Sequence, residues 1–308
     1  MTRTSRLQPL QSTLLPPYTG ISGLRVATYN IHKGVSGVGP RKRLEIHNLG
    51  LAIEALDADM VFLQEVRLFN HQEARRFARA PQGWPNGGQA DYLAPEGYEV
   101  AYRTNAVTRQ GEHGNALLSR WPLGDVGHRD VSDHRFEQRG LLHVPVSWNG
   151  VRVHAVVVHL GLVHASRVRQ VQRMQQYIQS TVPEDELLVV AGDFNDWGEK
   201  LDGPMADLGL TRAFTPPQGA QSWPGNPPEN QSMKQSASQS ASQQSKRATQ
   251  ALVRARLQQA TFPSLAPVFA LDRFYLRGLA CTATMVPRGL TWARMSDHLP
   301  LVAELQLA

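Results

Sequence analysis

The chain has 308 residues, of which 41% are hydrophobic and 19% are charged, so it can bury a substantial core as one large domain or two small ones. A formal net charge of +6 favours anionic partners such as nucleic acid, phospholipid headgroups or small phosphates, although a charge of this size also serves solubility alone. Cys281 is the single cysteine. An intrachain disulfide and a cysteine-rich metal site are therefore excluded, which fits a cytoplasmic protein and leaves a periplasmic one open.

The first 23 residues are predicted to form a disordered leader. Two arginines stand near its start, but Pro9 and the pair Pro16-Pro17 interrupt the apolar residues before they reach the length of a signal peptide. No window approaches the run of about 20 apolar residues that a membrane-spanning helix needs. We therefore expect no transmembrane segment, and a monomer whose single domain covers residues 24–307.

Hydrophobic periodicity predicts a mixture of strands and helices along this domain. The predicted helices cover residues 43–58, 71–80 and 165–181. The dipeptide Asn149-Gly150 between two strand patterns is a strong signal for a β-hairpin. The sequence thus predicts a mixed α/β protein with much antiparallel pairing. Its predicted strands cover residues 24–30, 60–66, 98–103, 115–121, 139–148, 151–160, 187–194, 271–277 and 300–307.

Residues 225–250, GNPPENQSMKQSASQSASQQSKRATQ, differ from the rest of the chain because they are rich in Ser, Gln and Pro and nearly free of large apolar side chains. This composition is typical of a disordered surface insertion. A regulatory or nucleic-acid-binding tail carried by Lys234, Lys246 and Arg247 is the alternative. The following residues, 251–260, are predicted to form a short helix.

Polar side chains recur at the ends of the predicted strands. A single Asp or His at such a place is typical of a turn, but six strand ends with Asn, Asp, Glu or His are typical of a metal-assisted hydrolase. Carboxylates are hard ligands that suit Mg²⁺ or Mn²⁺, and imidazoles titrate near neutral pH. Zinc is less favoured because no HExxH spacing occurs. The residues concerned are Asn30, His32, Gln64, Glu65, His159, Asp193, Asn195, Asp272, Asp297 and His298.

The stretch VVAGDFNDWG, residues 189–198, shows how a strand delivers such groups. Residues two apart in a strand share a face, so Asp193 and Asn195 are predicted to point into one site while Phe194 packs on the opposite side. Gly192 is predicted to allow another part of the backbone to approach closely. Asp196 and Trp197 are interpreted as the turn that leaves the site. No G-x-S-x-G motif accompanies this stretch, which argues against a serine hydrolase.

Eight motifs in order over residues 24–307 resemble the endonuclease/exonuclease/phosphatase (DNase I-like) superfamily. They are TYNIHKG, LQEV, HGNALLSR, EQRGLL, VVVHLG, AGDFND, LDRFY and SDHLP. Within it, the NIHKG, HGNA and GDFNDW stretches are especially similar to a small bacterial branch called YbhP-like. The resemblance implies a four-layer α/β/β/α sandwich of two mostly antiparallel mixed sheets with the site at one end.

The resemblance also implies a role for each matching residue. The implied Mg²⁺ ligands are Glu65, Asn30 and Asp297, and Asn30 also contacts the phosphate. Asp193 and Asn195 are implied to hold and activate the attacking water, and His159 to donate to a non-bridging phosphate oxygen. Asp272 and His298 correspond to a carboxylate–imidazole pair, and either this pair or Asp193 is the general base. Asn115 and Arg139 are either supporting phosphate contacts or residues that hold loops.

One departure from the resemblance concerns His32. Several nucleases of the superfamily carry an acidic residue two positions after the first asparagine, where this chain has histidine. One possible metal carboxylate is therefore missing, and His32 is either a contact for phosphate or a headgroup, or a surface loop residue.

The combined prediction is a Mg²⁺-dependent phosphoesterase, with Mn²⁺ as a possible substitute. Its substrate is a phosphodiester in nucleic acid or in a phospholipid headgroup, and an inositol phosphate remains an alternative. Clustered basic residues would favour nucleic acid, but Arg167, Arg169 and Arg173 are interpreted as the solvated face of a helix. The alternative from another functional class is a catalytically inactive protein of the same sandwich fold that acts as a binding or scaffold module.

Overall fold

Two six-stranded sheets make up the middle of the structure, a computed structural model that describes residues 23–134, 136–214 and 257–308. The predicted leader except its last residue, the predicted insertion at 225–250 and most of the predicted helix at 251–260 lie outside these residues. Among the helices that are described, none is both long and apolar enough to cross a membrane.

The strands in chain order are β1 (Leu24–Asn30), β2 (Val35–Ser36), β3 (Arg43–Leu44), β4 (Met60–Asn70), β5 (Glu99–Thr108), β6 (Gly111–Ser119), β7 (Gly127–Asp130), β8 (Gly140–Trp148), β9 (Val151–His159), β10 (Leu187–Asp193), β11 (Thr211–Arg212), β12 (Asp272–Arg277), β13 (Leu279–Met285) and β14 (Leu301–Leu307). The α-helices are α1 (Ile46–Leu56), α2 (His71–Arg76), α3 (Gln89–Leu93), α4 (His164–Thr181), α5 (Asp202–Ala206) and α6 (Leu290–Met295).

Each sheet has one parallel pair at its centre and antiparallel strands around it. The first sheet has the order β13-β14-β1-β4-β6-β5, and β1 and β4 are its parallel pair. The second sheet has the order β11-β12-β10-β9-β8-β7, and β9 and β10 are its parallel pair. The register sets Asn30 beside Gln64 in the first sheet and His159 beside Asp193 in the second. The carboxyl ends of both parallel pairs thus carry polar residues.

Strand β9 shows how the layers pack. Its residues Val153, Ala155 and Val157 belong to the core between the two sheets, whereas Val156 and Val158 belong to a second core under α4. This alternation is the two-residue period of a strand that is buried on both faces. Burial of one such side chain stabilises the fold by about 1.5–3 kcal/mol relative to its exposed state. Helix α1 covers the outer face of the first sheet in the same way.

The predicted four-layer α/β/β/α sandwich is confirmed. Every predicted strand is present, β1 with the predicted ends and the others with shifted ends, and β8 and β9 form the expected hairpin, in which Asn149 has φ 48° and Gly150 has φ 79°. Several short elements were missed, namely β2, β3, β7, β11, β13, α3, α5 and α6. β7, with the sequence GHRD, and the exposed part of β13 lie at sheet edges, where few apolar residues mark a strand.

The interpretation of three arginines of helix α4 as a solvated face was wrong for Arg167, whereas the side chains of Arg169 and Arg173 are 51% and 37% exposed. Arg167 is buried, and its guanidinium donates to the backbone carbonyls of Gly161 and Leu162 at 3.1 and 2.7 Å. Arg169 forms a two-bond ion pair with Asp133, and Arg173 donates to backbone carbonyls of the same loop. The loop before β8 folds over the helix, which helical periodicity alone does not reveal.

Candidate active site

The carboxylate of Asp193 lies at the centre of a buried polar cluster at the end of β10. Its Oδ1 accepts a hydrogen bond from the backbone N–H of Asn195 at 2.9 Å. Its Oδ2 accepts from the side-chain amides of Asn30 at 3.2 Å and Asn195 at 3.3 Å. Nε2 of His159 and Nε2 of His298 lie 3.6 and 3.7 Å from the same oxygen. Two amides and two imidazoles from separate elements therefore converge on one carboxylate.

The local backbone explains why Asp193 and Asn195 reach this position. Phe194 points into the core under α4, as the strand period predicts. Gly192 has φ 148°, and a Cβ at this residue would lie 1.9 Å from the carbonyl oxygen of Val158, so glycine is required for β10 to approach β9. Asn195 has φ 49°, a left-handed conformation that asparagine tolerates better than most residues.

His298 is held from its other side by Asp272, the first residue of β12. Nδ1 of His298 and Oδ2 of Asp272 are 2.8 Å apart, and Thr261 donates its hydroxyl to the same oxygen at 2.5 Å. Burial opposes the charged imidazole, but Asp272 and then Asp193 outweigh it and raise the pKa of His298 to about 10. The ring of Phe262 packs against the imidazole at 4.9 Å between centroids. The pair that the resemblance implied is thus formed, with an imidazolium between two carboxylates.

His159 differs from His298 because no carboxylate is hydrogen-bonded to it within normal distance. Burial, reinforced by the charge of Arg139, lowers the pKa of His159 to about 4, although Asp193 and Glu65 act in the opposite direction. The guanidinium of Arg139 donates to the carbonyl of Leu160 at 3.3 Å, one residue after His159. His159 is therefore a neutral imidazole that still carries one N–H donor.

Glu65 occupies the opposite side of the cluster, at an irregular point of β4. The register of β4 against β6 shifts between Leu63 and Val66, and Glu65 has φ 57°. Its Oε2 accepts from Nζ of Lys33 at 2.5 Å, and the carboxylate is 16% exposed. Burial tends to raise the pKa of Glu65, but Lys33 and His159 outweigh it, and the pKa is lowered.

Asp297 lies on the same side of the polar cluster as Glu65 and belongs to the segment before β14. The hydroxyl of Ser296 donates to the backbone carbonyl of Asn30 at 2.7 Å and so fixes this segment to the end of β1. Oδ2 of Asp297 lies 3.1 Å from Nδ1 of His32. Burial tends to raise the pKa of Asp297, but His32 and His298 outweigh it and lower the pKa, while Glu65 is close enough to act in the opposite direction.

The three implied metal ligands fit a hard divalent cation. Glu65 and Asp297 offer charged oxygens close enough to interact electrostatically, and the amide oxygen of Asn30 accepts from the backbone N–H of His32, the residue that contacts Asp297. Asp193, Asp272 and His298 form a second, fully buried group, with one potential ligand atom of each within 4.8 Å of the others. The carboxylates of this second group hold a charged imidazole, and a protonated nitrogen has no free lone pair for a metal.

Asn115 and Arg139 are both placed close to the two-sheet interface. Asn115 is fully buried on β6, and its amide nitrogen donates to the carbonyls of Gly140 and Val157 in the second sheet at 3.0 and 3.1 Å. The amide nitrogen of Asn115 thus joins the sheets, while its Oδ1 is buried without a hydrogen-bond partner among the described residues, and both roles that the sequence left open stay predictions. Arg139 also holds a loop through Leu160, but its charge reaches His159 and is available to the site.

Several residues near the site were missed by the sequence analysis. Lys33 belongs to the NIHKG motif, yet a lysine three residues after a strand end is not distinguishable from a surface residue by sequence. Thr261 and Phe262 lie outside every recognised motif, and only the fold brings them to Asp272 and His298. Asp196 is buried and pairs with Arg273 at 2.9 Å, which agrees with its interpretation as a turn residue rather than a catalytic one.

Comparisons with known proteins agree with this site. The sequence profile described as the Endonuclease/Exonuclease/phosphatase family matches residues 27–298. The uncharacterized protein YbhP of Escherichia coli is 31% identical over 297 residues, which are 95% of this chain and 100% of that protein.

Solved structures of the same fold include the catalytic domain of human Nocturnin with a bound sulfate anion. It has a TM-score of 0.59 and 19% identity, and the match covers 93% of this chain and 94% of that one. D. rerio TDP2 complexed with a single-strand DNA product has a TM-score of 0.55 and 14% identity, with 92% and 99% of the chains covered. At these identities the likeness concerns the fold alone.

The profile match and the YbhP relative together extend over nearly all of the chain. The chain therefore belongs to the Endonuclease/Exonuclease/phosphatase family of metal-dependent phosphoester hydrolases.

Proposed function

We propose that the protein is a Mg²⁺-dependent phosphodiesterase, with Mn²⁺ as a possible substitute, that cleaves its substrate by direct attack of water. The observation that carries this proposal is the surroundings of Asp193. A carboxylate that is flanked by two amides and two imidazoles is suited to orient a water molecule and to take its proton. We therefore assign Asp193 as the general base, with Asn195 orienting the water.

The other groups serve the phosphate. The N–H of His159 donates to a non-bridging oxygen, and the charge of Arg139 supports it. Asp272 fixes the tautomer and orientation of His298, which presents its other nitrogen toward Asp193 and the phosphate. A divalent cation held by Glu65, Asn30 and Asp297 would neutralise charge on the phosphoryl oxygens and the leaving oxygen.

The substrate class that we favour is a phosphodiester of nucleic acid, with a phospholipid headgroup or an inositol phosphate as competitors. Two considerations support nucleic acid. The net charge is +6, and one structure of the same fold holds a single-strand DNA product. The ion pairs of Arg169 and Arg173 count against a basic track along α4, because both guanidinium groups already bind the Asp133 loop.

The proposal is tested with a generic aryl phosphodiester in the presence of Mg²⁺, in the presence of EDTA, and with Asp193→Ala and His298→Ala. We expect EDTA to abolish hydrolysis and each variant to lower kcat by about 10²–10⁴-fold, the usual effect of removing a proton-transfer group. An EDTA-insensitive rate, or variants as fast as the wild type, would contradict the metal mechanism.

Substrate class is tested with single-stranded DNA, plasmid, RNA, phosphoinositides, sphingomyelin and cardiolipin under the same conditions. We expect the highest rate on a nucleic acid. Equal inactivity on every nucleic acid with turnover of a lipid would exclude a nuclease. The scaffold alternative predicts no hydrolysis of any of these substrates together with unimpaired Mg²⁺ binding.

A further inference from the structure

One turn of the chain covers both carboxylates that we assign to the metal. Lys33 reaches Glu65, with 2.5 Å between Nζ and Oε2, and the preceding residue His32 reaches Asp297, with 3.1 Å between Nδ1 and Oδ2. Glu65 and Asp297 come from different elements, β4 and the segment before β14. Two adjacent basic side chains thus pair with two carboxylates that are separated by most of the sequence.

The turn is built rather than incidental. His32 and Lys33 have φ 44° and 63°, a left-handed conformation that costs free energy for residues other than glycine and is concentrated at functional sites. Oδ1 of Asn30 accepts from the backbone N–H of His32 at 3.1 Å. The carbonyl of Lys33 accepts from the amide of Gln89 at 2.9 Å. The backbone is therefore fixed from both sides while the side chains extend to the carboxylates.

The ammonium of Lys33 occupies the place on Glu65 where a divalent cation would bind. A partly buried carboxylate that loses its hydrogen-bonded ion-pair partner is unfavourable, so Lys33 stabilises Glu65 when no ion is bound. The same ammonium and a metal ion repel each other and compete for the same oxygen lone pairs. Binding of the ion through Oε2 of Glu65 therefore requires Lys33 to leave this oxygen.

We propose that the His32–Lys33 turn is a built-in counter-charge for the metal site, in which Lys33 competes with the divalent cation for Glu65 and thereby sets the affinity for the ion. This inference rests on the proposed assignment of Glu65 as a metal ligand. The displaced ammonium remains on a fixed backbone next to the site, where it becomes available to an anionic phosphate oxygen. The turn thus links occupation of the metal site to a free positive charge for the substrate.

The experiment measures Mn²⁺ affinity without turnover, by loss of the electron paramagnetic resonance signal of the free ion, at about pH 8 so that Glu65 stays ionised. Lys33→Met keeps the length of the side chain and removes its charge. We expect it to bind Mn²⁺ about tenfold more tightly than the wild type, because the opposing charge is gone. Lys33→Arg keeps the charge, and its affinity should remain close to that of the wild type.

Lys42→Met is the matched control. Lys42 also pairs with a glutamate, at 2.8 Å from Glu73, and its side chain is 28% exposed, the same as that of Lys33. The Lys42→Met substitution removes one positive charge from a neighbouring part of the chain without altering the partner of Glu65. The Mn²⁺ affinity of this variant should therefore equal that of the wild type. Circular dichroism and thermal unfolding check that each variant is folded, and Lys33→Gln replaces Lys33→Met if the latter is not.

Glu65→Gln separates failure of this inference from failure of the proposed metal site. If it abolishes Mn²⁺ binding and Lys33→Met strengthens binding while Lys42→Met does not, the inference holds. If Glu65→Gln abolishes binding but Lys33→Met leaves the affinity equal or weaker, the competition is refuted and the metal site stands. If binding survives Glu65→Gln, both the assigned ligand and the competition are wrong. In a crystal structure with bound Mn²⁺, Nζ of Lys33 still hydrogen-bonded to Glu65 would also refute it.

Discussion

Two histidine pairs with carboxylate partners include a residue of β9 in the second sheet, and only one of these pairs belongs to the candidate active site. His159 and His298 lie on either side of Asp193. His143 of β8 and His154 of β9 stack at 5.0 Å between ring centroids, with 2.7 Å between Nε2 of His143 and Nδ1 of His154. Proximity of imidazoles to a carboxylate therefore does not by itself define a site.

The face of the sheet separates the two pairs. His159 follows Val157 and Ala155 on the face toward the first sheet, where the end of β1 brings Asn30 close to Asp193. His154 lies on the opposite face with Val156, under α4. The first sheet faces only this side of the second sheet, so the first pair lies beside a side chain from the first sheet, Asn30.

Saturation of hydrogen bonds is the second difference. In the remote group, Tyr177 of α4 binds Nδ1 of His143 at 3.1 Å, and Glu186 binds Nε2 of His154, so every ring nitrogen has a protein partner. In the active site, Oδ1 of Asp272 is buried and has no hydrogen-bond partner among the residues that the structure describes. The remote group is therefore a satisfied network, as is usual for buried polar groups in a core.

The largest expected effect is a difference in kcat between the variants His159→Gln and His154→Gln. Both substitutions replace a buried histidine of β9, five positions apart. We expect the first to lower kcat for the aryl phosphodiester by about 10²–10⁴-fold and the second to leave the rate of the folded protein close to that of the wild type. Steady-state kinetics on both variants, with circular dichroism to establish folding, measure this. A comparable loss of kcat in both would remove the distinction between the pairs.

A smaller effect concerns the pH dependence of stability through His143. Burial, and then the neighbouring His154, lower the pKa of His143 to about 4, against an ordinary value of 6.5. Above pH 6.5 neither the folded nor the unfolded state protonates it. Between 6.5 and about 4 the unfolded state takes up the proton first, so the free energy of unfolding falls as pH decreases, by at most about 3 kcal/mol.

Urea denaturation of the wild type and His143→Gln at a series of pH values measures this contribution. The groups that face His143 are His154, Tyr177 and, through His154, Glu186. We expect the wild type to lose more stability than the variant between pH 6.5 and 4. If the free energy of unfolding fell equally for the two proteins between pH 6.5 and 4, then His143 would not take up its proton preferentially in the unfolded state, and the prediction would be wrong.

The smallest expected effect is that of Tyr177→Phe, which removes only the hydroxyl at the end of the remote group. Nδ1 of His143 then loses its partner in a buried environment, which costs about 1 kcal/mol. Denaturant unfolding at pH 7.5 should show this loss, while kcat should be unaffected. A change in kcat would indicate that the remote group communicates with Asp193.

Much of the fold could be predicted because its information is local. The apolar runs that became β1, β9 and β10 and the Asn149-Gly150 hairpin are legible from neighbouring residues alone. The prediction for Arg167 failed because helical periodicity describes a helix by itself, whereas this side chain turns back to the carbonyls of the segment that connects β9 to α4. The missed short strands lie at edges where packing, rather than composition, decides the conformation.

By itself, the sequence determined which strand ends carry polar side chains. Through the two-residue period, it also indicated that Asp193 and Asn195 point to one face of the strand while Phe194 points to the other. The tertiary structure alone decided that Lys33 neutralises Glu65, that Thr261 supports Asp272 and that Asn115 joins the sheets. These pairings connect residues that are far apart in the sequence, so the periodicity of a single helix or strand does not reveal them. They depend on how two sheets stack and in which register their strands pair, and both follow from the packing of the whole core.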